Sequence, residues 1–293
     1  MGNLIKKVEI YSPKILSSKK IFTLSDIHKT NKKGTTPGLA HLSMIEKELA
    51  SEIDDIDFIF IPGDIINDTE DLEDNDFKRF LAFELETLTQ GKPTFISYGN
   101  HDQMTKAASN TWQMSSRRQL KEALSPLSNV TVLENSEVQN FQEVSISAFS
   151  PTYPYYELEK ESESAFMTEF LQEMDSSLFT SDQYNVLLTH APSSMISLIK
   201  RRVNLLETNP DLVVSGHMHN GLIPLSKNVG LISSSHKLFP KYAHGVTEEN
   251  GTTFVINGAV NTMVESPTIN SFFKPSANII TLNPSVQKVK KKS

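Results

Sequence analysis

Five places in this chain combine side chains that can hold a metal ion or move a proton. They are Asp26-Ile27-His28, Gly63-Asp64, Gly99-Asn100-His101-Asp102, His190 and Gly216-His217-Met218-His219. Imidazole, carboxylate and carboxamide are the donors left to a transition metal here, because the 293-residue chain has no cysteine. For the same reason disulfides, thiolate zinc sites, iron–sulfur clusters and a cysteine nucleophile are ruled out. Of eight histidines, five (His28, His101, His190, His217, His219) fall in these places. A single such histidine is ordinarily a polar residue with no special task; five in one kind of local setting are not explained that way.

That setting is the end of an apolar run. Lys20 to Ser25 leads into Asp26, Asp57 to Ile61 into Pro62-Gly63-Asp64, and Pro93 to Tyr98 into Gly99-Asn100-His101-Asp102. Tyr184 to Thr189 leads into His190, and Asp211 to Ser215 into Gly216-His217-Met218-His219. Short continuous apolar runs read as strands covered on both faces. Ligands of α/β sheets gather outside the carboxyl ends of the strands, so five such ends deliver their polar residues to one edge. In an extended segment residues i and i+2 point the same way, which pairs Asp26 with His28 and His217 with His219. Gly63, Gly99 and Gly216 stand just before the polar residues, where the backbone is expected to turn sharply.

Between the strands lie helical patterns. Leu39 to Ile53 aligns Leu42, Ile45, Leu49 and Ile53; Asn75 to Gln90 aligns Phe77, Phe80, Leu81, Leu85 and Leu88; Glu157 to Met174 and Pro192 to Leu206 are two more. Val130 to Ser150 reads as consecutive short strands with a turn at Asn135-Ser136, and the segment after His219 is strand-rich through Gly251–Ile256 and Ala277–Leu282. Together these predict a four-layer α/β/β/α sandwich of two mixed sheets flanked by helices. Residues 1–285 are expected to form one domain and 286–293 a frayed basic tail.

Asp-x-His, Gly-Asp, Gly-Asn-His-Asp, a lone later His and Gly-His-x-His, in that order, resemble the calcineurin-like metallophosphoesterases. The resemblance spans about residues 20 to 282 and rests on the ordered set, since Gly-Asp alone carries nothing. It implies one divalent metal on Asp26, His28, Asp64 and His219, and a second on Asn100, His190 and His217 with Asp64 bridging. It further implies that His101 faces the leaving group and that Asp102 orients His101 as a carboxylate–imidazole pair. Two ions ~3.5–4 Å apart can acidify a water for in-line attack on phosphorus while His101 protonates the departing oxygen. Mixed nitrogen and oxygen donors suit manganese, iron or zinc better than calcium. The C-terminal Leu238-Phe239-Pro240-Lys241-Tyr242, with Gly245 and Gly251-Thr252-Thr253, is similar to the bacterial YkuE-type phosphodiesterases, a membrane-associated or secreted group, and reads as structural; the family resemblance implies a diester or pyrophosphate substrate sooner than a monoester. Two positions depart from the family: Asn220-Gly221-Leu222 replaces Gly-Gly-Gln, and Asn67 replaces a commonly acidic residue.

The charge balance of −7, with no strong clustering, disfavours a nuclease built on a basic groove. It is compatible with a small phosphate-containing substrate drawn in by metal charge. A catalytically silent scaffold on the same fold is the other alternative, although no expected ligand is replaced. No apolar run approaches the ~18 residues of a membrane span. The chain as written reads as soluble and cytoplasmic, with membrane association as the alternative if an anchor precedes it. The lysines near both ends suggest peripheral contact with an anionic membrane. His41, His236, His244 and the acidic run Asp68 to Asp76 read as ordinary structural or solvated groups, and Tyr153, Pro154, Tyr155 and Tyr156 as a packed aromatic cluster.

Overall fold

Aliphatic and aromatic residues alternate sides along the central strands, and that alternation builds the layers. The computed structural model describes residues 3–285 except 32–37, 107–111, 116, 153–154, 157–161, 176–177, 202–207, 227, 234–237 and 262–272. In its first half lie β1 (Ile5–Ser12), β2 (Lys19–Thr23), α1 (Gly38–Leu49), β3 (Phe58–Pro62), α2 (Asn75–Thr89), β4 (Thr94–Ser97), β5 (Met104–Lys106), β6 (Trp112–Met114), α3 (Arg118–Leu124) and β7 (Val130–Val132). There follow β8 (Val138–Phe141), β9 (Val144–Ala148), α4 (Glu163–Glu173), β10 (Tyr184–Leu188), α5 (Pro192–Lys200) and β11 (Leu212–Ser215). The last strands are β12 (Pro224–Ser226), β13 (Val229–Gly230), β14 (Gly245–Glu249), β15 (Thr252–Ile256) and β16 (Ala277–Pro284).

One sheet has the order β1-β16-β2-β3-β4-β7 and the other β14-β15-β11-β10-β9-β8. Both are mixed: β2, β3, β4 and β7 run parallel while β16 is antiparallel to β2, and β14 and β8 are antiparallel edges on a parallel centre. In β3, Ile59 and Ile61 face outward onto helix residues such as Ile45, Leu81 and Leu120, whereas Phe58 and Phe60 face the second sheet and Val186, Val214 and Val255. The second sheet turns Leu187, Val213 and Phe254 onto Phe166, Phe170, Met195 and Ile199 of α4 and α5. These three apolar interfaces between four layers of structure give the expected α/β/β/α sandwich. A buried polar chain also ties its strands, Asn257 donating to Thr23 at 2.9 Å and accepting from Asn278 at 2.7 Å.

Several expectations shift. Ile53 leaves the first helix for a separate 3₁₀ turn, Ile53–Asp55. Phe80 lies off the buried stripe, with Lys29 Nζ 5.4 Å from its ring centroid. α2 is stopped at Gln90 in the left-handed region (φ 47°). The Asn135-Ser136 turn does not join two neighbours of one sheet: it carries the chain from β7, the last strand of the first sheet, into β8 of the second. The beginning of the Glu157–Met174 helix and the end of the Pro192–Leu206 helix fall outside the described residues. So do Tyr153, Pro154, His236 and the basic tail. In the acidic run, Asp68 and Asp71 are buried, contrary to the solvated reading; Asp68 accepts from Glu70 N–H at 3.0 Å and Asp74 caps α2 through Asp76 N–H at 2.8 Å.

Candidate metal centre

β2, β3 and β4 of one sheet and β10 and β11 of the other end at a common edge, and the chain leaves each of them in a tight turn. Asp26, His28, Asp64, His217 and His219 all adopt left-handed backbone, with φ between 45° and 74°. Non-glycine residues rarely do so, and such outliers concentrate at functional sites. The pairing of Asp26 with His28 and of His217 with His219 is therefore achieved by left-handed turns and not by the extended segments the spacing suggested. The loops support one another: Ile27 and His28 N–H donate to Asp64 carbonyl at 2.8 and 3.1 Å, and Lys29 N–H to Ile65 carbonyl at 2.8 Å.

The glycines act by two mechanisms. Gly63 has φ +86°, the sharp turn that was expected. Gly99 and Gly216 are needed for close approach: a Cβ on Gly99 would lie 2.1 Å from Asp64 Oδ1, and one on Gly216 2.5 Å from Ser25 Oγ.

Two groups of ligand-capable atoms result, each with its atoms within 4.8 Å of one another. Asp26, His28, Asp64 and His219 form one; Asp64, His190 and His217 form the other, so Asp64 is common to both. All six residues are buried. Nε2 of His190 lies 3.0 Å from Asp64 Oδ2 and 3.7 Å from Asp26 Oδ1; Nε2 of His219 lies 3.3 Å from Asp26 Oδ1, and Nε2 of His28 3.4 Å from that of His219. The outward faces of two rings are tied to main-chain carbonyls: Nδ1–H of His190 donates to Pro62 at 2.7 Å and Nδ1–H of His219 to Asn261 at 2.7 Å. Such bonds orient an imidazole so that Nε2 serves as ligand. Asp26 is steadied by His217 N–H, 3.0 and 3.1 Å from its two oxygens, and by the Ser25 hydroxyl. Asn100 belongs to the turn beside Asp64.

A metal fits these groups on direct structural grounds. Among the described residues Asn100 Oδ1 is buried without a hydrogen-bond partner, and the buried Asp64 Oδ2 and His190 Nε2 face only each other, at 3.0 Å. Buried polar atoms left in that condition are costly, and a cation relieves all three at once. The electrostatics agree. Burial, then charge on His101, holds His28 well below the usual imidazole range, and burial lowers His219. At His190 burial also favours the neutral ring, yet the Asp64 and Asp26 carboxylates outweigh it and raise the pKa to about 10. Burial alone would raise Asp64, but His190 and His101 hold it well below the carboxylate range. A proton on His190 is the smallest cation that answers those carboxylates; a divalent ion answers them with more charge and displaces that proton.

The predicted His101–Asp102 pair does not form. The two side chains leave a 3₁₀ turn (His101–Gln103) in different directions. Nδ1–H of His101 donates to the main-chain carbonyl of Asn67 at 2.8 Å. Asp102, fully buried, accepts from the main-chain N–H groups of Asp64 (2.8 Å), Ile65 (3.0 Å), Ile66 (3.2 Å) and Gly99 (2.8 Å). Asp102 thus staples the Asp64 turn to the Asn100 turn. Burial and the Asp64 charge push its pKa up to about 7, against the N–H groups of Gly99 and Ile66.

Sequence reasoning missed the carbonyls of Pro62, Asn67 and Asn261, which no side-chain pattern advertises. It also undervalued Tyr156. Tyr155 packs in the outer core with its hydroxyl 2.5 Å from Ser194 Oγ, but the Tyr156 ring lies 5.2 Å from that of His217. His41 and His244 are partly buried and outside the centre, as expected.

The strand ends of the two mixed sheets thus bring together a buried Asp/His cluster suited to two divalent metals. The family model for calcineurin-like phosphoesterases matches residues 19–221, and the chain belongs to that family. Among curated protein sequences none matches. Of solved structures, the purple acid phosphatase PPD1 from yellow lupin (Lupinus luteus) seeds aligns at 14% identity and TM-score 0.45, over 93% of this chain and 55% of that one. The chain therefore spans about half the length of that phosphatase. A second solved structure aligns at 13% identity and TM-score 0.42, over 83% of this chain and 91% of that one.

Proposed function

We propose that the chain hydrolyses phosphoesters with two divalent ions, one on Asp26, His28, Asp64 and His219 and one on Asp64, Asn100, His190 and His217. The observation that carries this is the sharing of Asp64 between two buried ligand groups. Two ions held there would supply Lewis acidity toward a phosphoryl oxygen and acidify a water for attack on phosphorus. Asp26 and Asp64 bring the only formal negative charge of the set, so the loaded centre is net positive and draws in phosphate. His101 holds the proton for the departing oxygen, its ring fixed by the Asn67 carbonyl. Tyr156 walls the His217 side. The imidazole, carboxylate and carboxamide donors suit manganese, iron or zinc. Analogy with the family favours a diester or pyrophosphate over a monoester.

The test is Asp64→Ala, with metal content measured by mass spectrometry and turnover on bis(p-nitrophenyl) phosphate and p-nitrophenyl phosphate. Both ions and, by about 10³-fold or more, the activity should be lost, since removing a shared ligand dismantles both Lewis-acid sites. Full activity in that variant would end the assignment. A wild-type protein that binds two metals yet turns over neither substrate would favour the silent scaffold.

A further inference from the structure

Lys29 directly follows the ligand His28, yet its side chain runs to α2 and not into the metal centre. It is 5% exposed, with its ammonium 2.6 Å from Glu84 Oε2 and 5.4 Å from the centroid of the Phe80 ring. Phe80 and Glu84 lie one turn apart on α2 and so share a face of that helix. Lysine is rarely buried this deeply unless paired. Taking an ammonium out of water costs about as much as one ion pair returns, so an aliphatic side chain would often fill such a place at no loss of stability. What a directed ion pair adds is position, because it holds the residue that carries it in one place against α2.

The main chain of Lys29 passes that position on. Its N–H donates to the Ile65 carbonyl at 2.8 Å and its carbonyl accepts from Asn67 N–H at 2.8 Å, which makes an isolated parallel bridge between Lys29 and Ile66. The bridge is a last rung between the extensions of β2 and β3, beyond the left-handed turns of Asp26, His28 and Asp64. Asn67 then uses its own carbonyl to accept Nδ1–H of His101 at 2.8 Å. The His101 ring meets that of His28 edge-on, with centroids 4.7 Å apart. Two hydrogen bonds, both made by the main chain of Asn67, thus connect Lys29 to the imidazole that holds the proton for the departing oxygen.

We propose that Lys29 is a positioning residue for proton transfer by His101. Its ion pair with Glu84 fixes the rung between Lys29 and Asn67, and the rung fixes the carbonyl against which the imidazole is set. Lys29 itself meets no substrate and binds no metal. The inference rests on the hydrolase reading above and names what holds its general acid in place. A general acid works only within hydrogen-bond reach of the oxygen it protonates, and a displacement of about 1 Å can cost about 10²-fold in rate.

The test is Lys29→Met, which keeps an unbranched stem and drops the charge, in the metal-loaded full chain. Turnover is compared on bis(p-nitrophenyl) and diphenyl phosphate, with p-nitrophenyl and phenyl phosphate as the monoester pair. Phenolate is the poorer leaving group and depends more on the proton from His101. The phenyl ester should therefore slow by about 10-fold or more and the nitrophenyl ester by at most about threefold, with metal content unchanged. Glu84→Gln, on the partly exposed partner, should give the same split at smaller amplitude and carries the test if Lys29→Met does not fold by circular dichroism. In a His101→Ala background Lys29→Met should add nothing, since groups that act as a unit are not additive. A merely structural loss lowers both esters alike, because it only reduces the amount of active protein. Equal loss on both esters, unchanged turnover, or a further loss in the His101→Ala background would each overturn the proposal and leave the hydrolase standing. A wild type that turns over no ester of either pair would overturn both.

Discussion

The two sides of the metal centre are supported in different ways. On the side of β2, β3 and β4 the turn that carries Asp64 is stapled to the turn that carries Asn100 by a buried side chain, Asp102, through four main-chain N–H groups. On the side of β10 and β11 the rings of His190 and His219 are aimed by main-chain carbonyls, those of Pro62 and Asn261. Each side also orients the other: Pro62 ends β3 of the first sheet yet holds a histidine of the second, and His217 N–H holds Asp26. A side-chain staple can be removed by one substitution, whereas a carbonyl cannot. The first side is thus vulnerable through a residue that binds no metal, and the second only through its ligands. His101 is the exception that sharpens the contrast, because it lies on the first side but is held in the manner of the second.

The largest effect short of removing a ligand is expected at His101. His101→Ala should lower kcat by about 10²- to 10⁴-fold, the range of a lost general acid, with metal content unchanged by mass spectrometry. Loss of metal instead would make His101 part of the ligand scaffold. Next comes Asp102→Asn, which keeps the shape but sets an NH₂ group against main-chain N–H donors. Metal affinity, read by chelator competition, should weaken by about 10- to 100-fold, with kcat recovering at saturating metal. Unchanged affinity would erase the difference between the two sides.

A smaller effect is expected on stability when metal is stripped. With its pKa raised to about 10, a protonated His190 stabilises the fold fully below the ordinary value of 6.5, and that contribution is lost as pH climbs through about 10. Thermal melting in EDTA should therefore fall across this window, while saturating divalent metal, which replaces the proton, should flatten that dependence. Equal slopes with and without metal would place His190 outside the ligand set. The smallest effect is expected from Asn67→Ala. The carbonyl that holds His101 survives, so kcat should stay within about threefold.

The layers were legible because burial on two faces forces apolar runs, and the strands at Lys19–Thr23, Phe58–Pro62 and Leu212–Ser215 lie within about two residues of where those runs placed them. β1 and β14 were not read, since edge strands need hydrophobicity on fewer positions and half their residues face water. Ile53 and Phe80 fit a helical stripe by spacing alone, but spacing does not say where a helix stops or where an exposed aromatic ring meets a lysine ammonium, as Phe80 meets Lys29.

The sequence by itself determined which side chains could bind metal and that they stand at strand ends, because donor chemistry and apolar patterning are properties of residue type and order. Only the tertiary structure decided how Asp102 is used, which carbonyls aim the histidines, and that five of the seven proposed ligands sit in left-handed turns. Those depend on main-chain groups that every residue carries alike, so nothing in the string of side chains can announce them. They acquire meaning once two sheets close on a common edge.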